Sequence, residues 1–213
     1  MFLSIAVHGT SALIFLLSLL EFCFLVPILL YTRKRNISFK DYLRNLLRQS
    51  LNKRDYLLYP SIIVGICSVM FLVPTVGFNT GLIHIFWGNP FLKAQAIAID
   101  NANEFSVIEP TPIDIPMFFM ISLILAFNEE IFFRGFLLKV DYGSLGKRIN
   151  ISSISFALYH VIPSFNIFTC VYFFPYYFTW GIILCLMQQM GHGYLVLPIS
   201  LHFLFNFILF AFM

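Results

Sequence analysis

Charged side chains are scarce in this chain: Asp, Glu, Lys and Arg make up only 11% of its 213 residues, whereas a soluble domain contains about 25%. Hydrophobic residues account for 60%, so an ordinary soluble fold is excluded. The long apolar runs instead predict an all-α fold, a polytopic transmembrane helix bundle of about six spans. The Phe-, Ile- and Asn-rich composition and the short loops favour an integral, multi-pass protein of a bacterial cell membrane.

Several sequence features that carry common chemistries are absent. No C-x-x-C pair occurs, and the four cysteines lie singly in apolar segments, which excludes a disulfide framework: Cys23, Cys67, Cys170 and Cys185. No H-E-x-x-H, G-x-S-x-G or Walker pattern occurs either, so the usual helical zinc protease, the serine hydrolase elbow and the nucleotide-binding loop are set aside. The N-terminus lacks a basic region and a small-residue cleavage site, and its first apolar run is interpreted as a retained span.

The apolar runs predict spans at roughly 11–31, 57–78, 115–138, 149–163, 167–190 and 194–213. This division predicts an N-terminal unit of spans and loops over residues 1–114 and a helix core over residues 115–213.

Basic residues concentrate in two loops, at 33–54 and 139–148, which the positive-inside rule places in the cytoplasm. The acidic loop at 79–114 is then outside. Apolar residues recur at helical spacing in the first basic loop and predict a short amphipathic helix lying on the membrane surface: Phe39, Tyr42, Leu43, Leu46 and Leu47. The basic run indicates a topology determinant that contacts anionic lipid head groups, rather than a nucleic-acid site.

Ionisable and amide side chains nevertheless interrupt three apolar stretches near the C-terminus, E-E-I-F-F-R, F-A-L-Y-H and H-F-L-F-N: Glu129, Glu130, Arg134, His160, His202 and Asn206. Even on a lenient scale a charge at the membrane centre costs roughly 2.5–3.5 kcal/mol, so packing alone does not explain these residues. Counted from the span ends, Glu129, His160 and His202 lie at similar depths of roughly 12–17 Å. They predict a polar site buried between the helices near the membrane centre.

The spacing of these residues indicates their chemistry. Glu130 and Arg134 share one helix face, whereas Glu129 is turned away by about 100° and can face a cavity as a general base. His202 shares a face with the amide four residues later, and the pair can hold an oxyanion or support a metal. The alternative interpretations are a structural Glu–Arg pair and interhelical hydrogen bonds. His160 and Glu21, near the middle of the first span, remain open between structural and functional roles.

E-E-x-x-x-R, F-x-x-x-H and H-x-x-x-N on successive helices resemble, in this order, the motifs of the CPBP family, the CAAX protease and bacteriocin-processing (Abi) family of intramembrane proteases. The resemblance covers roughly residues 115–210 and implies a catalytic helix core. It implies that Glu129 activates the attacking water with help from His160. It also implies that Glu130 and Arg134 orient the site.

By the same resemblance, His202 and Asn206 stabilise the oxyanion of an intramembrane endopeptidase that cleaves a membrane-associated or peptide substrate. The implied cofactor is undecided between none and zinc, with Glu129, His160 and His202 as the ligands if a metal binds. The implied partners are the lipid bilayer and a protein or peptide substrate, without nucleic acid. The rival hypotheses are a non-proteolytic membrane scaffold or bacteriocin self-immunity protein and a proton-coupled transporter, although the chain lacks the repeats typical of transporters.

Overall fold

A computed structural model describes residues 18–48, 59, 62, 63, 65, 114–140, 143–162 and 167–212. Every regular element in this part of the chain is helical, which confirms the all-α part of the predicted fold class there, while the bundle of about six spans stays a prediction. The α-helices are α1 Leu25–Lys34, α2 Phe39–Leu47, α3 Asp114–Glu130, α4 Leu145–Val161, α5 Ile167–Met190 and α6 Val196–Phe212. Most of the predicted span at 57–78 and of the loop at 79–114 lies outside the described residues, and the two-unit division stays a prediction.

Within the described ranges, one continuous helical stretch, Ile115–Lys139, is long and apolar enough to cross a membrane. A shorter apolar helix, Val196–Ile208, lies within α6. Large apolar side chains also face outward from the first helix, with Leu20 60% and Leu30 63% exposed. These features fit a lipid-facing surface, whereas the number of spans and their orientation stay predictions.

The stretch Ile115–Lys139 changes its helical geometry directly after the two glutamates. The α-helical geometry of α3 ends at Glu130, a π-helical segment follows at Ile131–Phe136, and a short 3-10 turn ends the stretch. π-helical turns of this kind occur frequently at functional sites because they redirect the side chains around them. Here the π segment carries Arg134 into the protein interior, where this side chain is fully buried.

The amphipathic helix predicted in the basic loop is present as α2, but its apolar face packs against protein rather than lipid. Leu46 is only 1% exposed, and its carbonyl accepts a hydrogen bond from the Leu195 amide at 2.9 Å. The Tyr42 hydroxyl donates to the Gly135 carbonyl at 2.7 Å, and burial raises the pKa of Tyr42 to about 12. The apolar side chains of α2 thus pack against a buried cluster of the bundle, and the position of this helix at the membrane surface stays a prediction.

The C-terminal helices pack closely, α4 along α5 and α6 along α3. At the crossing of α4 and α5, a Cβ added to Gly181 would lie 2.9 Å from the Ser153 Cα, so only glycine permits this approach. α4 begins before the predicted span because the Ser144 hydroxyl caps it by accepting a hydrogen bond from the Lys147 amide at 3.4 Å. A turn follows α5, and Gly193 adopts a positive φ of 84° there.

A 3-10 stretch, Leu20–Phe24, leads into α1. Pro27 lies in the first turn of α1, where the ring of a proline crowds the carbonyl four residues earlier. In this chain that carbonyl belongs to Cys23, which lies within the 3-10 stretch. The proline thus accounts for the local departure from α-helical geometry, and this departure sets the direction of Glu21.

Candidate active site

A buried ion pair forms the base of the site. Glu130 and Arg134 are both fully buried, and the Arg134 Nη1 donates to the Glu130 Oε1 at 2.8 Å. The Arg134 Nη2 donates to the Gly181 carbonyl at 3.2 Å, and the guanidinium lies over the Phe156 ring, 4.4 Å from its centre. The π segment is thereby tied to α4 and α5, because its arginine contacts both helices.

In both histidines Nδ1 makes a hydrogen bond to the protein and Nε2 faces the site. The Nδ1 of His202 lies 2.8 Å from the Glu130 Oε1, and the Nδ1 of His160 lies 2.9 Å from the Phe156 carbonyl. A carbonyl only accepts hydrogen bonds, and so does a carboxylate paired with arginine, so both Nδ1 atoms are the donors. In each neutral imidazole the remaining nitrogen, Nε2, is therefore an unprotonated acceptor.

Glu129 faces both of these acceptor nitrogens. Its Oε2 lies 3.7 Å from the His160 Nε2 and 3.9 Å from the His202 Nε2. This oxygen is buried and has no hydrogen-bond partner within the described part of the chain. The separations exceed a direct hydrogen bond but suit groups that share one water molecule. Three acceptors thus converge on a point where a water could donate.

Aromatic rings enclose the histidines. The His160 ring lies 4.3 Å from the Phe156 ring and stacks on Tyr177 with 4.4 Å between ring centres. The Trp180 ring meets His202 edge-on at 6.3 Å. His160 is the more accessible histidine, with 20% of its side chain exposed against 3% for His202.

The structure brings five of the six predicted site residues together, and Asn206 stands apart. Asn206 is half-buried one turn beyond His202 on α6, and its side chain makes no hydrogen bond with the other five within the described ranges. Asn128 and Glu21 are buried at the same site, although the sequence patterns assigned neither a role. An acidic residue in an apolar run is the signal that identified Glu129, and it applies equally to Glu21.

The possible metal ligands do not fit a zinc ion as they are placed. Ligands about 2.0–2.1 Å from a tetrahedral zinc lie roughly 3.3–3.4 Å from each other. The contacts of Glu129 with His160 and His202 are longer, at 3.7 and 3.9 Å. Among the described residues no group of three or more His, Cys, Asp or Glu side chains has a geometry that could hold a metal.

The helices and the site together describe a membrane protein with a buried carboxylate–imidazole centre. Residues 111–208 match the family model of the type II CAAX prenyl endopeptidase Rce1-like proteins. No curated protein and no solved structure matches the chain. The family match confirms, over residues 111–208, the resemblance to CAAX proteases that the three motifs carry. The roles of the individual site residues stay predictions.

Proposed function

We propose that this chain is an intramembrane endopeptidase that hydrolyses a peptide bond by direct attack of water. The observation that carries the proposal is the unpartnered Glu129 Oε2, which is buried and faces the Nε2 atoms of His160 and His202. A water molecule among these three acceptors would donate one hydrogen to the carboxylate and the other to an imidazole. The remaining lone pairs of its oxygen would then be free to attack a carbonyl carbon.

In this mechanism Glu129 removes the proton from the attacking water, and the Nε2 of His160 orients that water. The proton is then available for the nitrogen of the leaving amine, so that Glu129 serves first as base and then as acid. No covalent enzyme intermediate is required, which agrees with the absence of a Ser or Cys nucleophile among the motifs.

The oxyanion would be stabilised by donors on α6. The side-chain amide of Asn206 carries two N–H donors and is half-buried one turn beyond His202. The imidazole of His202, one turn earlier on α6, would be held in position by the Glu130 carboxylate, which accepts from its Nδ1 at 2.8 Å. Arg134 keeps Glu130 in place for this purpose. The two glutamates thus have separate tasks, although they are adjacent in sequence.

The test compares the purified wild-type protein with Glu129→Gln in the cleavage of a membrane-embedded reporter peptide. This substitution keeps the shape of the side chain but removes the base. A general base contributes typically 10²–10⁴-fold, so we expect a loss of that size with normal membrane insertion. The substrate panel should include prenylated and unprenylated peptides, because the family description names a prenyl endopeptidase. Full biological function of the Gln variant at normal abundance would favour the alternative, a non-proteolytic scaffold or self-immunity protein.

A further inference from the structure

Glu21 is a buried carboxylate that the proposed mechanism does not use. It lies on the 3-10 stretch before α1, is 3% exposed, and precedes the family-matched segment by about ninety residues of chain. The hydroxyl of Tyr159 donates a hydrogen bond to its Oε1, while its Oε2 has no partner within the described ranges. This hydrogen bond joins the N-terminal part of the chain to α4 immediately beside His160.

The contact lies at the edge of the active site. The Tyr159 ring meets the His160 ring edge-on, with 5.1 Å between centres and an interplanar angle of 87°. Phe24, one turn after Glu21, meets the other side of the Tyr159 ring at 4.9 Å. Tyr159 is therefore held at its hydroxyl and at its ring by the same short stretch.

Within the described part of the chain His160 makes one hydrogen bond, from its Nδ1 to the Phe156 carbonyl, so its orientation also depends on the rings around it. One hydrogen bond leaves the imidazole free to tilt about that contact, and the surrounding rings must prevent the tilt. Tyr159 is half-buried, and the hydrogen bond to Glu21 fixes its hydroxyl while Phe24 contacts its ring. A displacement of about 1 Å at a catalytic group can lower turnover by about 100-fold.

We propose that Glu21 is a positioning residue of the active site. By accepting the hydrogen bond from Tyr159, it holds the tyrosine ring against His160. The Nε2 of His160 then stays directed at Glu129. This inference rests on the proposed function and extends it, because a residue outside residues 111–208 then completes the site. The geometry also assigns a task to the 3-10 stretch, which turns Glu21 toward α4.

Three variants separate the hydrogen bond from the charge. Glu21→Leu removes the acceptor, Tyr159→Phe removes the donor, and Glu21→Gln keeps an acceptor oxygen while removing the charge. We expect both disrupting variants to lower kcat by about 10- to 100-fold with little change in KM, and we expect the Gln variant to restore most of the turnover. The double variant Glu21→Leu/Tyr159→Phe should be no slower than either single variant, since both remove one interaction.

The matched control is Tyr42→Phe, which removes a tyrosine hydrogen bond of similar kind, to the Gly135 carbonyl. It should lower thermal stability with little effect on turnover per folded molecule. Three results would overturn the proposal: equal losses in the Gln and Leu variants of Glu21, additive losses in the double variant, or unchanged turnover in Tyr159→Phe.

A second measurement does not depend on proteolysis. In ¹⁵N-histidine-labelled protein in detergent micelles, the His160 ring signals should shift or broaden in Tyr159→Phe and Glu21→Leu but stay near their wild-type positions in Glu21→Gln. If the purified protein cleaves no peptide, the proposed function fails, and these signals still decide the positioning role. Unchanged His160 signals in both disrupting variants would overturn it.

Discussion

Replacing Arg134 by alanine should destabilise the protein as well as inactivate it. The guanidinium is fully buried, where it donates to Glu130 at 2.8 Å and to the Gly181 carbonyl at 3.2 Å. It also lies 4.4 Å from the centre of the Phe156 ring. Arg134→Ala therefore leaves a buried carboxylate without its cation and a buried carbonyl without its donor.

The size of the effect follows from these contacts. Removing one partner of a buried ion pair costs roughly 3–5 kcal/mol in soluble proteins, and leaving a buried carbonyl unpaired costs about 1–3 kcal/mol. The two losses share one side chain and overlap, so we expect a decrease of about 3–6 kcal/mol in the free energy of unfolding. Total stabilities are about 5–15 kcal/mol, so the abundance of the variant in membranes should fall clearly.

The assay is denaturant unfolding in detergent micelles, followed by tryptophan fluorescence, since Trp180 is buried beside the site. Arg35→Ala is the surface control, because it removes an arginine whose contact is with the Tyr31 ring at 5.7 Å and should change stability by less than about 0.5 kcal/mol. The double variant Glu130→Gln/Arg134→Met removes both charges together. It should regain about 2 kcal/mol or more over Arg134→Ala while remaining inactive.

Unfolding of Arg134→Ala at the wild-type denaturant concentration would contradict the predicted loss of stability. A double variant no more stable than Arg134→Ala would also contradict it, because the loss of unfolding free energy would then not come from the unpaired Glu130 charge. Either result would mean that water or another group compensates the Glu130 carboxylate when Arg134 is absent.

Three further predictions concern the mechanism, the packing and the topology. Chelators should leave peptide cleavage unchanged, and added zinc should not restore Glu129→Gln; inhibition by a chelator that zinc reverses would contradict the water mechanism proposed above. Gly181→Ala should lower thermal stability by about 1–3 kcal/mol, because the new Cβ would lie 2.9 Å from the Ser153 Cα, and wild-type melting would show that the helices can separate there. Cysteines introduced at Asn36 and Ser144 should be protected from an external membrane-impermeant reagent, and labelling of either from outside would overturn the predicted orientation.

Local features of the site could be predicted because helix periodicity sets them. Glu130 and Arg134 are four residues apart, and they form the ion pair that this spacing favours even though a π segment follows Glu130. The three motifs also indicated residues at one depth, and Glu129 lies near both His160 and His202. A rare ionisable residue in an apolar run is a strong signal, since a membrane disfavours it elsewhere.

Features that depend on packing could not be predicted in this way. The amphipathic spacing of α2 identified a helix but not the surface it covers, and Leu46 packs in the bundle rather than in lipid. Burial on protein and burial in lipid require the same apolar face, so the pattern does not distinguish them. The π segment, likewise, has no periodic signature in its sequence.

The sequence by itself determined the helical class, the similarity of residues 111–208 to a protease family and the residue types of the site, because composition and spacing within one helix are local properties. Only the tertiary structure decided which side chains meet. His202 donates to Glu130 across 72 residues, and Tyr159 donates to Glu21 across 138. Such contacts depend on how helices distant in sequence fit together, and this fit is set by the shapes of many side chains at once rather than by any repeating pattern along the chain.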